Sequence, residues 1–175
     1  MNRAVFLDRD GVINRVVLRE GRPYPPCSVQ ELEFIPGVAE AIVRLKSAGF
    51  RIIVVTNQPD VASGAQRQEM VEAIHKKILE KFSIDDIQVC YHIDQNHCLC
   101  RKPKPGMLLA SARQWVLDLS QSVMIGDRWR DIEAGERAGC KTIWMDFKYQ
   151  ERQPEKHDYV TDSLLGVLNF ILENK

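Results

Sequence analysis

Two aspartates stand two residues apart in Phe6-Leu7-Asp8-Arg9-Asp10-Gly11, directly after the short apolar run 3–7. Where a strand gives way to a turn, such a pair can face one cavity. Carboxylates that close repel unless a cation sits between them, and hard oxygen donors suit Mg²⁺. Gly11 leaves room for the backbone to approach a phosphate. Thr56-Asn57-Gln58 offers a hydroxyl and an amide that can hold a phosphoryl oxygen. Arg101-Lys102-Pro103-Lys104-Pro105-Gly106 places Lys102 where it can neutralise phosphoryl charge, just before a helix start that favours anions. In Gly126-Asp127-Arg128-Trp129-Arg130-Asp131, Asp127 supplies a third oxygen for the cation. Asp131, four residues on, reaches the same cavity from the following helix. Each motif alone also has an ordinary reading, as a polar turn, an exposed basic loop or an acidic first helical turn.

A second constellation is softer. Cys90-Tyr91-His92 and Cys98-Leu99-Cys100 offer three thiolates and one imidazole. That is a closed tetrahedral set for structural Zn²⁺, with no open position for catalysis. His97 is the rival imidazole. The cluster runs straight into Arg101 and Lys102, so zinc would fix the loop that carries the lysine. Cys27 and Cys140 lie apart and read as unpaired thiols. His75, within an amphipathic helix, and His157, in a charged tail, read as structural or solvated.

These residues need elements to hold them. Apolar runs predict strands at 3–7, 51–55, 87–91, 122–126 and 141–146. Helical spacing predicts helices opening at Pro36-Gly37, over 66–82, from Pro105-Gly106 to Leu117, over 130–138 and over 162–173. Alternation of this kind implies right-handed crossovers and an α/β, doubly wound, mostly parallel sheet of Rossmann-like form. Ligands bind at the carboxyl ends of such strands, and every motif above follows one. The stretch from about 12 to 34, with Pro23, Pro25 and Pro26, reads as a flap without regular structure. The zinc loop spans about 90–104, and 147–158 is a charged loop.

The chain of 175 residues reads as a single domain over 1–175. Too few residues separate the first two motifs for a large cap domain, so flap and zinc loop must shape the pocket. Lysine plus arginine and aspartate plus glutamate number 24 each, which gives no reason to expect a nucleic-acid partner. No apolar run approaches a membrane span of about 20 residues. The expectation is a cytoplasmic protein acting on a small phosphorylated metabolite, without a nucleic-acid or membrane partner; a monomer is compatible with the sequence, which does not fix the oligomeric state.

The order Asp-x-Asp, Thr-Asn, Lys and Gly-Asp-x-x-x-Asp along one sheet resembles the haloacid dehalogenase-like phosphatases, from residue 4 to about 146. The resemblance implies that Asp8 attacks phosphorus and becomes an aspartyl phosphate. Asp10 would protonate the leaving oxygen and then activate water. Gly11, Thr56, Asn57, Arg101 and Lys102 would hold the phosphorylated substrate. Mg²⁺ would lie between Asp8, the backbone carbonyl of Asp10 and Asp127, with Asp131 in support.

The Cys-x-His…Cys-x-Cys-Arg-Lys-Pro pattern narrows the resemblance to the heptose bisphosphate phosphatase and histidinol-phosphatase branch. Basic residues around the motifs, Arg15, Arg19, Arg22, Arg101, Lys104, Arg128 and Arg130, favour a sugar bisphosphate. The short loop of five residues between His92 and Cys98 is more similar to the histidinol-phosphatase domains, and Ser63 stands where heptose enzymes carry an arginine contact; the charge argument decides for the heptose bisphosphate, with histidinol phosphate the alternative. A reading from another class is a non-catalytic, zinc-stabilised binding module on the same fold. The intact set Asp8, Asp10, Lys102 and Asp127 speaks against it.

Overall fold

Short strands that are apolar on both faces must lie inside a sheet covered on both sides. The computed structural model, which describes residues 2–173, arranges them so. In chain order the elements are β1 (Arg3–Leu7), β2 (Val17–Arg19), β3 (Arg22–Tyr24), α1 (Val38–Ser47), β4 (Phe50–Asn57), α2 (Gln68–Lys81) and β5 (Asp86–Cys90). There follow α3 (Gly106–Trp115), β6 (Val123–Gly126), α4 (Trp129–Ala138), β7 (Lys141–Met145), β8 (Tyr159–Thr161) and α5 (Leu164–Glu173). Six strands form one sheet in the order β5-β4-β1-β6-β7-β8, and every pairing in it is parallel.

Alternation along β1 sorts its side chains. Val5 and Leu7 face a core shared with Ile52, Val54 and Ile125, covered by α1, α5 and the Ile74–Ile78 stripe of α2. Ala4 and Phe6 face the opposite core with Ile53, Val55 and Met124, covered by Met107 and Leu108 of α3 and Ala134 of α4. Each fully buried large side chain contributes about 1.5–3 kcal/mol. The functional consequence is register. Leu7 pairs with Val54 on one side and Ile125 on the other. β6 ends one residue past that level and β4 three, so the residues that follow β1, β4 and β6 emerge at the same end of the sheet and converge.

The structure differs from the sequence reading in two places. The flap is not irregular throughout, because β2 and β3 pair as an antiparallel hairpin. Its turn residues Glu20 and Gly21 both have positive φ, at 50° and 74°, the geometry whose twist suits a two-residue hairpin. Proline in a strand normally argues against pairing, yet Pro23 is tolerated in a two-stranded ribbon where one edge has no partner. The second difference is β8, three residues at the sheet edge after the charged loop, too short to show a period.

Candidate active site

Asp8 follows β1 directly and is buried. Its Oδ1 accepts from the backbone N–H of Arg9 at 2.7 Å and lies 3.0 Å from Lys102 Nζ. The Lys102 ammonium is itself buried, 2.6 Å from Asp131 Oδ1, and donates to the Val55 carbonyl at 2.7 Å. Burial alone would favour neutral lysine, but Asp131 and Asp8 hold its pKa above the ordinary value. Asp131 is fixed in turn by the Arg128 N–H, which donates to its Oδ2 at 3.0 Å at the start of α4. Asn57 anchors the Lys102 backbone on both sides, accepting from its N–H at 3.1 Å and donating to its carbonyl at 3.0 Å.

Asp8, Asp127 and Asp131 bring carboxylate oxygens within 4.8 Å of one another. Both oxygens of Asp127 are buried without a well-formed hydrogen bond, with the Tyr149 hydroxyl as the polar group beside them. Three buried carboxylates with one lysine between them, and one carboxylate lacking partners, form a donor set that fits a hard divalent cation. Gly11 serves this trio as much as any phosphate. Its φ is +87°, and a Cβ there would come within 1.9 Å of Asp127 Oδ2.

The Asp10 carboxylate does not join the trio. Arg9 Nε lies 3.1 Å from each of its oxygens, Asn14 Nδ2 donates to Oδ1 at 2.9 Å, and Gln58 Nε2 donates to Oδ2 at 2.9 Å. The Asp10 side chain is thus outside the carboxylate group of Asp8, Asp127 and Asp131 that could hold a metal. Gln58, unassigned by sequence, also donates to Thr56 Oγ1 at 2.8 Å. It thereby links the buried hydroxyl to Asp10. Its place in Thr-Asn-Gln after a buried strand was the available signal.

Above these groups lies a cleft of about 510 Å³. Asp8, Asp10, Asn57 and Lys102 line its floor. Arg22, Pro23 and Tyr24 of the hairpin form one wall, and Arg128, Trp129 and Arg130 another. Arg101 is not among the lining residues; its Nε is 2.7 Å from Asp94 Oδ1. The flap is tied across the cleft mouth to the 147–158 loop, where the Gln150 N–H donates to the Gly21 carbonyl at 3.1 Å.

The soft cluster also assembles. Cys90, His92, Cys98 and Cys100 place ligand atoms within 4.8 Å of one another. The sulfur separations are 3.1, 3.4 and 3.7 Å, and His92 Nδ1 lies 3.4 Å from Cys100 Sγ. Zn–S bonds of about 2.3 Å put tetrahedral sulfurs roughly 3.8 Å apart, so this spacing suits one metal ion. His97 stays outside the cluster. Cys27 is exposed and Cys140 buried, and both are free thiols. His157 leans on the Trp144 ring with centroids 5.5 Å apart.

The carboxylate trio sets a pH dependence for the metal-free protein. Burial, then Asp131, push the Asp8 carboxyl up to about 7 despite Lys102. Burial, then Asp8, raise Asp127 in the same direction. A carboxyl raised on folding binds its proton more tightly in the folded state. Its contribution is full below the unfolded value near 4 and is lost as pH rises through about 7. Metal-free protein should therefore melt lower at about pH 8 than at about pH 5, and added Mg²⁺ should raise Tm more at the higher pH. Equal Mg²⁺ shifts at both pH values would contradict this.

Comparison with known proteins places the chain among relatives. The HAD-hydrolase-like family model matches residues 99–167. The D-glycero-beta-D-manno-heptose-1,7-bisphosphate 7-phosphatase of Rhodopseudomonas palustris is 38% identical over 148 residues, covering 78% of this chain and 79% of that protein. The histidine biosynthesis bifunctional protein HisB of Legionella pneumophila is 33% identical over 82% of this chain but only 41% of its own length. A crystal structure of the D,D-heptose 1,7-bisphosphate phosphatase of B. bronchiseptica, in complex with magnesium and phosphate, superposes with a TM-score of 0.84 at 31% identity, covering 99% of each chain. No helix among the described residues is long and apolar enough to cross a membrane. At 38% identity over 78% of its length, the chain belongs to the haloacid dehalogenase-like phosphatases.

Proposed function

We propose that this chain is a D-glycero-D-manno-heptose 1,7-bisphosphate 7-phosphatase working through an aspartyl phosphate on Asp8. The Asp8 carboxylate would attack phosphorus as the bond to the leaving sugar oxygen breaks, with Asp10 giving that oxygen its proton. Water would then attack phosphorus, Asp10 would take the water's proton, and the P–O bond to Asp8 would break. Lys102, set between Asp8 and Asp131, would offset the charge gathered around the reacting group. Magnesium, held by Asp8, Asp127 and the Asp10 carbonyl with Asp131 in support, would neutralise phosphoryl oxygens when bound. Zinc at Cys90, His92, Cys98 and Cys100 would be structural.

The observation that carries the substrate choice is the state of Arg130. Its guanidinium lines the cleft, 4.6 Å over the Trp129 ring. Burial lowers its pKa; Asp94, 3.6 Å away, opposes this while Arg101 and Arg128 add to it. Arg128 already has an acid, its Nε donating to Glu151 at 2.8 Å. Crowded cations short of counter-charge suit a second phosphate held away from the reacting one. The name of the Rhodopseudomonas palustris relative, covered to 79% of its length, points the same way, while the HisB relative is covered to only 41%. An amine and imidazole, as in histidinol phosphate, would meet like charge there.

Arg130→Ala should raise KM for the heptose bisphosphate by about 10- to 100-fold with little change in kcat, the effect of a contact equal in ground and transition states. The corresponding 7-monophosphate should change less than about threefold. Parallel turnover assays with both sugars and histidinol phosphate decide the matter. Faster turnover of histidinol phosphate would replace this reading with the histidinol-phosphatase one.

A further inference from the structure

Arg9 stands between the two catalytic aspartates, yet it does not line the cleft. It is fully buried, and no fully buried side chain among the described residues is larger. Burying a guanidinium is costly unless its donors find acceptors of suitable charge and geometry. Here the fork is directed at the general acid. Nε lies 3.1 Å from both oxygens of Asp10, and Nη2 makes a charge contact of 2.8 Å with Oδ2 that lacks hydrogen-bond geometry. The far side of the fork meets α2, where Nη1 is 3.1 Å from His75 Nε2. Burial, and then Arg9 itself, lower the His75 pKa to about 4. His75 is therefore neutral near pH 7, and its Nε2 accepts from the arginine. The backbone is fixed as well, since the Arg9 carbonyl accepts from the Ile13 and Asn14 N–H groups at 2.9 and 3.2 Å.

We infer that Arg9, braced from behind by His75, is a positioning residue that aims the Asp10 carboxylate. The inference rests on reading Asp10 as the acid that protonates the leaving oxygen. Asn14 and Gln58 hold the carboxylate by single hydrogen bonds, one on each oxygen. Arg9 reaches both oxygens from one rigid plane, through Nε to each and through the charge of Nη2 beside Oδ2, which fixes the carboxylate's rotation. The imidazole stops that plane from turning. His75 thus belongs to the acid's support through α2, some 65 residues along the chain from Asp10.

The test compares leaving groups in the first turnover. An alkyl alkoxide needs a proton as it departs; a nitrophenolate hardly does. The ratio of alcohol release from an alkyl phosphate to that from nitrophenyl phosphate therefore reads the acid and not general stability. Asp10→Asn sets the full change in that ratio. Arg9→Lys, which keeps the charge and loses the fork, should lower the ratio about tenfold or more. His75→Leu should lower it about threefold or more, while His75→Gln, which retains an acceptor, should restore most of it. His75→Leu decides alone if Arg9→Lys does not fold. Equal losses for both substrates in these variants, with Asp10→Asn still discriminating, would show that the pair only balances charge and overturn the inference. If Asp10→Asn itself fails to discriminate, the reading of Asp10 as acid falls and the inference with it.

Discussion

Asp8→Asn is expected to leave the protein folded and to lower phosphate release by at least about 10⁴-fold, the scale on which covalent enzymes lose a nucleophile. The amide has the shape of the carboxylate but no anionic oxygen to attack phosphorus. Folding should survive for reasons visible in the site. The asparagine carbonyl can still accept the Arg9 N–H that now reaches Asp8 Oδ1 at 2.7 Å. Lys102 keeps Asp131 at 2.6 Å and the Val55 carbonyl at 2.7 Å. Burial already favours the neutral form of Asp8, so a neutral amide relieves repulsion from Asp131, and metal-free variant should melt no lower than wild type at about pH 8. Two measurements check the mechanism: phosphate release, and phosphoprotein trapped from labelled substrate. Asp10→Asn should accumulate label because hydrolysis loses its base; Asp8→Asn should carry none. Near-wild-type release by Asp8→Asn would end the aspartyl-phosphate account.

Much of this site was legible in the sequence because its residues follow the ends of buried strands. A parallel sheet covered on both faces needs near-continuous apolar runs, so 3–7, 51–55, 87–91, 122–126 and 141–146 stand out, and the motifs at their ends converge by topology alone. What the sequence hid was short or depended on tertiary pairing. Three-residue strands such as Val17–Arg19 and Tyr159–Thr161 are too brief to show a period. Partner choice was hidden too. Among many basic residues, charge alone did not separate Arg130 and Arg22, which line the cleft, from Arg101, which Asp94 holds. Nor did His75, one imidazole on a helix, signal that a guanidinium after the first strand would need it. The Cys₃His cluster was easy by contrast, since three cysteines and a histidine within eleven residues share few other purposes.

That cluster supports the last expectation: Cys90→Ser should cost both stability and turnover, through one loop. Cys90 closes β5 and is buried, so its thiol ties the loop to the sheet. The chain then runs through Cys98 and Cys100 into Lys102 and doubles back tightly. The Gly106 N–H donates to the Leu99 carbonyl at 3.1 Å, and a Cβ on Gly106 would come within 2.2 Å of that oxygen. With a metal at the cluster, the Lys102 backbone is held from two sides, by the loop behind it and by Asn57 in front. Serine offers a harder, less acidic donor and should lower zinc content from about one per chain to near zero. Structural zinc contributes folding energy directly. A loss of at least about 3 kcal/mol is expected, or roughly 6–12 °C in Tm for a chain this size. Turnover should fall about 100-fold or more, because a displacement of about 1 Å in a charged group at the reacting centre has that effect. Cys27→Ser, at an exposed thiol outside the cluster, should change neither zinc content nor rate. Metal analysis, thermal unfolding and phosphate release on the same preparations separate the links. A variant that lost zinc and Tm but kept its rate would show that Asn57 alone suffices to hold Lys102 between Asp8 and Asp131.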